Sequence, residues 1–168
     1  GEVRMNWQDK PQVKMGNIGE RAVMDYLLSK GHVPYTPVQE AGAHPFDFLC
    51  ATKDKSSIYV AEVKTKPARL YFPDTGFNLQ SWRGYRGIRD KYKMEVFCFF
   101  VDSARKSIYG NKLSVLELPR QITHGGKTIC YPLQDRGIIY FPLEAMVTIA
   151  TLTDAECREI EAHTTRAY

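Results

Sequence analysis

One continuous apolar run restricts the fold more than any other feature of this 168-residue sequence. Residues 96–101 read Val-Phe-Cys-Phe-Phe-Val, which has the length of a strand and no polar alternation. A strand of this composition is buried on both faces, so a layer must cover each side of its sheet. The run therefore predicts a central strand over residues 95–102 in a layered α/β protein.

The segments before this run predict a helix followed by strands. Apolar residues recur at helical spacing through residues 16–30, and Gly31 supplies a stop signal. β-Branched and aromatic residues are enriched in the segments that follow. Strands are predicted over residues 32–38, 46–51 and 57–64.

A hairpin turn and a second helix complete the expected core. The polar segment 53–56 predicts the turn between the last two of these strands. Proline and glycine mark residues 66–75 as a loop, and residues 78–93 are predicted to form a helix. The order helix, antiparallel strands, helix, buried strand predicts an α/β sandwich, with a mixed central sheet flanked by helices.

The sequence after Asp102 is less regular. Short strands are predicted at residues 108–109, 113–118, 127–131 and 137–141. A capping-box pattern at residues 153–156 predicts a closing helix through about residue 163. Because no linker divides the chain, we expect a single domain over residues 1–168, with a core of about 15–102 and a C-terminal extension of about 103–168 whose role is uncertain.

Composition and charge restrict the partners and the location. The formal net charge of +4 and the pI of about 8.8 tilt the chain mildly toward anionic partners. No apolar run approaches the roughly 18 residues that span a bilayer, and residues 1–14 have no signal-peptide core. We therefore expect a cytoplasmic protein with no membrane partner.

Cys50 and Cys98 lie in apolar runs and are expected to be buried thiols.

Glu62 and Lys64 lie at the end of the third predicted strand. Alternation along a strand places their side chains on one face. Asp47 lies one predicted hairpin earlier, so folding of that hairpin would bring Asp47 and Glu62 together. Two carboxylates can hold a hard divalent cation such as Mg²⁺, which activates water and polarises a phosphate. An exposed charge pair at Glu62 and Lys64, and a turn cap at Asp47, are the structural alternatives.

Glu20 is a third acidic candidate. On a helical wheel it lies within roughly 60° of Val23, Met24 and Leu27, so it points with the apolar stripe. A carboxylate aimed inward is costly unless it is paired or binds a metal. The alternative is a first-turn carboxylate that the helix dipole stabilises.

In this sequence Asp47 is followed by Glu62-Val63-Lys64. This arrangement resembles the motif of the PD-(D/E)XK nuclease superfamily. The resemblance covers roughly residues 16–102. It implies the restriction endonuclease-like core, which is a helix, three antiparallel strands, a helix and a further strand. It also implies metal binding by Asp47 and Glu62, with Glu20 and the Val63 carbonyl as further ligands. Lys64 would then orient or activate the attacking water.

Two further positions bear on this resemblance. Phe46 directly precedes Asp47, where the motif has proline, and Pro45 comes one residue earlier. Gln80 resembles the glutamine that several branches of the superfamily place beside the motif, with Tyr85 following in the same helix. The resemblance implies that Gln80 belongs to the catalytic site or contacts the substrate backbone.

The implied activity is hydrolysis of phosphodiester bonds in DNA by an endonuclease that depends on Mg²⁺ or Mn²⁺, in repair, recombination or restriction. A homodimer would suit a cut on both strands. One alternative is a non-catalytic nucleic-acid-binding protein on the same fold. The other is a small α/β interaction or structural protein whose charges coincide by chance.

A basic and aromatic set is predicted to contact the DNA, with arginines as the best phosphate ligands. It comprises Lys66, Arg69, Trp82, Arg83, Tyr85, Arg86 and Arg89. The alternatives are a solvated basic face and aromatic side chains that belong to the core. His44 is a weaker candidate for phosphate contact. Residues 71–77 would cover the substrate, or form an ordinary connection.

Overall fold

The computed structural model describes residues 10–37 and 46–164. Eleven strands and four α-helices are found in these ranges. In chain order they are α1 (Pro11–Ser29), β1 (Val33–Tyr35), β2 (Phe48–Ala51), β3 (Ile58–Thr65), β4 (Asp74–Asn78), α2 (Leu79–Tyr92), β5 (Val96–Asp102), β6 (Ser107–Lys112), α3 (Leu113–Leu116), β7 (Arg120–His124), β8 (Lys127–Tyr131), β9 (Leu133–Asp135), β10 (Ile138–Pro142), β11 (Val147–Thr151) and α4 (Asp154–Ala162).

A six-stranded mixed sheet forms the centre, in the order β1-β2-β3-β5-β6-β11. Strands β3 and β5 are parallel, and every other neighbouring pair in this sheet is antiparallel. The predicted hairpin joins β2 to β3, with Phe48 paired to Ala61. Because the next position along both strands continues this register, Asp47 comes to lie opposite Glu62.

Both faces of the central strand are buried, as its apolar composition predicts. Phe99 and Val101 pack in the cluster beneath α1 and α4. Cys98 and Phe100 pack in the cluster on the other face, beneath α2 and the three-stranded sheet β4-β10-β9. Cys50 and Cys98 are buried free thiols, in agreement with the prediction.

The residues after Asp102 contribute to both layers. Strands β6 and β11 extend the central sheet, and β10 pairs with β4 on the second sheet. Helix α4 begins at the predicted capping box, where Thr153 and Glu156 each accept a hydrogen bond from the other's backbone amide. It packs against α1 through Cys157 and Ile160.

Some predicted elements were wrong or incomplete. The predicted strand over residues 113–118 is the short helix α3, because Leu113 and Leu116 are spaced to turn inward together. The predicted loop over residues 66–75 gives way at Asp74 to β4, which pairs along β10. Strands β7, β9 and β11 were not predicted, and helix α1 begins earlier than predicted, at Pro11.

Candidate active site

Asp47 and Glu62 meet at the start of β2, held by two hydrogen bonds with the backbone. The Asp47 amide donates to Glu62 Oε2 at 3.2 Å. In return Asp47 Oδ2 accepts from the Val63 amide at 2.6 Å. Glu62 is only 4% exposed, although it is a carboxylate in an apolar strand. The hairpin register therefore brings together Asp47 and Glu62, which the sequence predicts to share one site.

Lys64 lies beside Glu62 on the same face of β3. Its Nζ is 3.2 Å from Glu62 Oε1 and donates to the Tyr85 hydroxyl at 2.9 Å. The ammonium group also lies 5.5 Å from the ring centroid of Phe77 and 5.3 Å from that of Tyr85. These contacts orient the ammonium group toward Glu62 and surround it with aromatic rings.

Glu20 reaches the same place from α1. Burial, the charge of Asp47 and a hydrogen bond shared with the Asp47 carboxyl group raise the pKa of Glu20 from 4.5 to about 8, and the charge of Glu62 adds to this. The helix comes this close because it crosses β3 at Gly19. A Cβ at position 19 would overlap the Thr65 hydroxyl.

Glu62 carries the same electrostatic signature. Burial, followed by the charge of Asp47, raises the pKa of Glu62 to about 7, and the charge of Lys64 opposes this shift. Three carboxyl groups thus converge beside one ammonium group. Such a concentration of oxygen donors and negative charge fits a hard divalent cation, whose binding would relieve the repulsion.

The carboxylate groups of this site accept hydrogen bonds from the protein and do not form a complete set of metal ligands. Across residues 10–37 and 46–164, no group of three or more His, Cys, Asp or Glu side chains has a metal-holding arrangement. Asp47 and Glu62 each use one oxygen to accept from a backbone amide. The carboxylate oxygens fit a divalent cation in chemistry and charge. The cation would bind the oxygens that can still accept a further contact.

Arg69 and Lys66, both predicted to contact DNA, are bound to the protein itself. Arg69 makes a two-point ion pair with the fully buried Asp74, at 2.6 and 2.7 Å. Asp74 also accepts from the Tyr131 hydroxyl at 2.6 Å. The Lys66 ammonium donates to the Gly76 carbonyl at 2.7 Å. These contacts give both cations a structural role in the segment that follows β3.

Trp82 and Arg89 are likewise engaged within the fold. The Trp82 indole donates to Glu117 Oε2 at 2.9 Å, and Arg89 forms an ion pair with the other oxygen of Glu117. Helix α2 is therefore tied to the end of α3. Tyr85, predicted to touch DNA, is buried and holds Lys64 instead.

Fewer of the residues that were predicted to contact DNA are exposed to solvent. Arg83 and Arg86 are exposed on α2, with the Arg86 guanidinium group 4.4 Å from the Trp82 ring centroid. Gln80 is exposed near the start of the same helix. His44 and Pro45 lie outside the described residues.

Sequence reasoning missed the acidic partners of these cations. Asp74 and Glu117 carry no motif, and each lies far along the chain from at least one residue that it binds. A partial signal existed for Tyr85. Its helical spacing with Trp82 and Arg89 predicted that some aromatic side chains of α2 are core residues.

Comparison with known proteins supports the fold. No protein-family model matches the sequence, and no curated protein matches it significantly. Among solved structures, the chain is similar to Hjc, a Holliday junction resolvase from the archaeal hyperthermophile Archaeoglobus fulgidus. The TM-score is 0.52 at 13% sequence identity, over 77% of this chain and 90% of that chain.

This likeness establishes the class of fold. The mixed sheet flanked by helices is the restriction endonuclease-like fold of this resolvase, which confirms the predicted fold class. Within the part of the chain that the structure describes, no helix is long and apolar enough to cross a membrane.

Proposed function

We propose that this protein is a metal-dependent deoxyribonuclease of the PD-(D/E)XK type. The observation that carries the proposal is the position of Asp47 opposite Glu62, with Lys64 paired to Glu62 on the same strand. Burying an acidic pair beside an ammonium group costs desolvation free energy, which the attraction between the charges need not recover. Such a group is therefore weak evidence for a role in stability alone. Phosphodiester hydrolysis uses such a group of residues.

Asp47 and Glu62 are the primary metal ligands in this proposal. Glu20 and the Val63 carbonyl are the further ligands, and the ion is Mg²⁺ or Mn²⁺. When bound, such an ion polarises the phosphate and lowers the pKa of a coordinated water. The raised pKa values of Glu20 and Glu62 mean that protons must leave these carboxyl groups when the ion binds.

Lys64 acts on the reacting phosphate and water. Its ammonium group orients the attacking water and stabilises the negative charge that develops on the phosphorane-like transition state. Glu62 and Tyr85 hold Nζ from two sides, so little reorientation is needed during the reaction. Gln80, at the exposed start of α2, contacts the DNA backbone.

Exposed arginines on α2 supply the first contact with the polyanion. Arg83 and Arg86 bind phosphates, and their contribution decreases as salt increases. The cellular role is repair, recombination or restriction. The reaction is endonucleolytic, and a homodimer would place two sites for cleavage of both strands.

A cleavage assay on plasmid and oligonucleotide DNA tests this function. The protein is incubated with Mg²⁺, with Mn²⁺, or with a chelator, and DNA binding is measured in parallel. We expect cleavage with either metal and none with the chelator. DNA binding without cleavage in both metals would instead establish a non-catalytic nucleic-acid-binding protein. Absence of both would favour a structural or interaction protein.

A further inference from the structure

The segment between β3 and β4 contains three consecutive large apolar residues that face solvent. Leu70 is 84% exposed, Tyr71 80% and Phe72 43%. We call these three residues the apolar tip. Full exposure of adjacent Leu and Tyr side chains gives up the free energy of burial, and such patches mark contact surfaces more often than isolated apolar residues do.

Two buried carboxylates hold the base of this segment. Asp102 accepts from the Ala68 amide at 2.9 Å and from the Tyr109 hydroxyl at 2.6 Å. Asp74 holds Arg69 from the other side by the two-point ion pair described above. The tip therefore extends from a base that is fixed to the core of the protein.

The Arg69 guanidinium group stiffens the tip further. It lies between two aromatic rings, 4.0 Å from the centroid of Phe72 and 3.6 Å from that of Tyr140. Phe72 is thus packed on one side, which accounts for its lower exposure. Leu70 and Tyr71 are more exposed than Phe72.

A continuous stretch of chain joins the tip to the candidate active site. Lys64, Lys66 and Arg69 follow one another along the chain from β3 to the tip. Lys66 donates to the Gly76 carbonyl, and Arg69 lies against the ring of Tyr140, which pairs with Gly76 across β4 and β10. An exposed aromatic platform that is fixed beside a site proposed to cleave phosphodiester bonds is complementary to a partner that offers flat apolar rings.

We propose that the apolar tip stacks against unpaired bases of the DNA substrate, with Tyr71 as the principal stacking residue. This inference rests on the proposed nuclease function and specifies its substrate class as DNA that contains unpaired or unstacked bases. In an intact duplex each base is already stacked on its neighbours, and separating them has a cost. Unpaired bases present a free face to an exposed aromatic ring.

The binding experiment compares a fully paired duplex with the same duplex carrying a central mismatch bubble. Affinities are measured by fluorescence anisotropy in a chelator, so that metal-dependent cleavage does not occur. Wild-type protein is expected to prefer the bubble. Tyr71→Ala should lower affinity for the bubble by about tenfold and leave the duplex unchanged. Tyr71→Trp should retain the preference, because it restores an aromatic face.

Salt dependence separates stacking from phosphate contact. Tyr71→Ala should keep the wild-type slope of affinity against salt, since it removes no cation. Arg83→Ala is the matched control, and it should weaken binding to both DNAs and reduce that slope by about one. A 2-aminopurine base placed in the bubble should be quenched by wild-type protein and not by Tyr71→Ala. Equal melting temperatures of the two proteins would show that the fold is intact.

Several outcomes would overturn the inference. Tyr71→Ala that binds the bubble as tightly as wild type excludes stacking by this residue. A fall in the sedimentation mass of Tyr71→Ala with DNA affinity unchanged would make the tip a contact between copies of the chain. Bubble preference in a wild-type protein that cleaves no DNA with any metal would refute the nuclease function and leave the stacking inference standing.

Discussion

The hydroxyl group of Tyr85 accepts a hydrogen bond of 2.9 Å from the ammonium group of Lys64. Tyr85 is the buried residue of α2 and packs edge-on against Phe77, with ring centroids 5.5 Å apart. Lys64 is therefore held both by Glu62 and by a residue from a separate element. In the proposed mechanism Tyr85 is a positioning residue that acts through Lys64.

Removal of this acceptor should slow the reaction without weakening DNA binding. Tyr85→Phe keeps the packing against Phe77, and a hydrogen bond to a charged group is worth about 1.5–3 kcal/mol. We expect kcat to decrease by about tenfold or more while KM is unchanged, as steady-state cleavage kinetics would measure. A Tyr85→Phe variant with raised KM and wild-type kcat would contradict a role through Lys64.

The raised pKa of Glu20 predicts how stability depends on pH. Its folded-state pKa of about 8 exceeds the ordinary value of 4.5, so the folded state binds the proton more tightly. The stabilisation is complete below 4.5 and is lost as pH rises through about 8. Without divalent cations, thermal melts should therefore show a falling melting temperature between about pH 5 and pH 8.

Glu20→Gln should make this decrease smaller, because Glu20 no longer titrates and only Glu62 still contributes. Glu159→Gln is the control, since Glu159 is an exposed carboxylate paired with Arg21. Mg²⁺ should raise the wild-type melting temperature more at the alkaline end, where fewer protons compete for the carboxylates. The explanation fails if Glu20→Gln and wild type have the same dependence on pH.

Gly19 allows the close approach of α1 to β3, and a methyl group there should be costly. A Cβ at this position overlaps the Thr65 hydroxyl. We expect Gly19→Ala to lower the free energy of unfolding by about 1–3 kcal/mol. Gly16→Ala in the same helix meets no atom within 4 Å and should raise it by up to about 1 kcal/mol. Urea denaturation of both variants tests this, and equal stabilities would refute it.

The ion pair between Asp74 and Arg69 should be important for stability. Asp74→Asn leaves the guanidinium group without its carboxylate and weakens the bond from Tyr131. A loss of about 3 kcal/mol in the free energy of unfolding is expected from breaking such a pair. Asp135→Asn, at an exposed carboxylate, should change it by less than about 0.5 kcal/mol. Chemical denaturation that finds the two variants alike would show that the pair is not needed.

The parts of the fold that the sequence predicts are those with local periodicity. The central strand, the β2–β3 hairpin and the capping box of α4 each show their pattern within a few adjacent residues. Strand β4 does not, because proline, aspartate and glycine at residues 73–76 are typical of a turn. Its strand conformation comes from pairing with β10, in which the partner of Asp74 is Pro142, far along the chain.

The candidate site divides in the same way. Strand alternation and the hairpin are sufficient to bring Asp47, Glu62 and Lys64 together, because these are short-range relationships. The partners of the predicted DNA-contacting cations are tertiary. Glu117 binds Arg89 only once α3 packs beside α2, and no spacing in the sequence shows this contact.

Single-turnover cleavage of DNA with Mg²⁺ by wild type, Glu62→Ala and Lys64→Ala decides whether the proposed active site is catalytic. Lys106→Ala and Glu159→Ala, at exposed ion pairs away from the site, are the matched controls. The proposed site predicts metal-dependent cleavage by wild type and both controls, and a loss of cleavage in Glu62→Ala and Lys64→Ala with the fold intact by circular dichroism. Full activity in either Glu62→Ala or Lys64→Ala would contradict it.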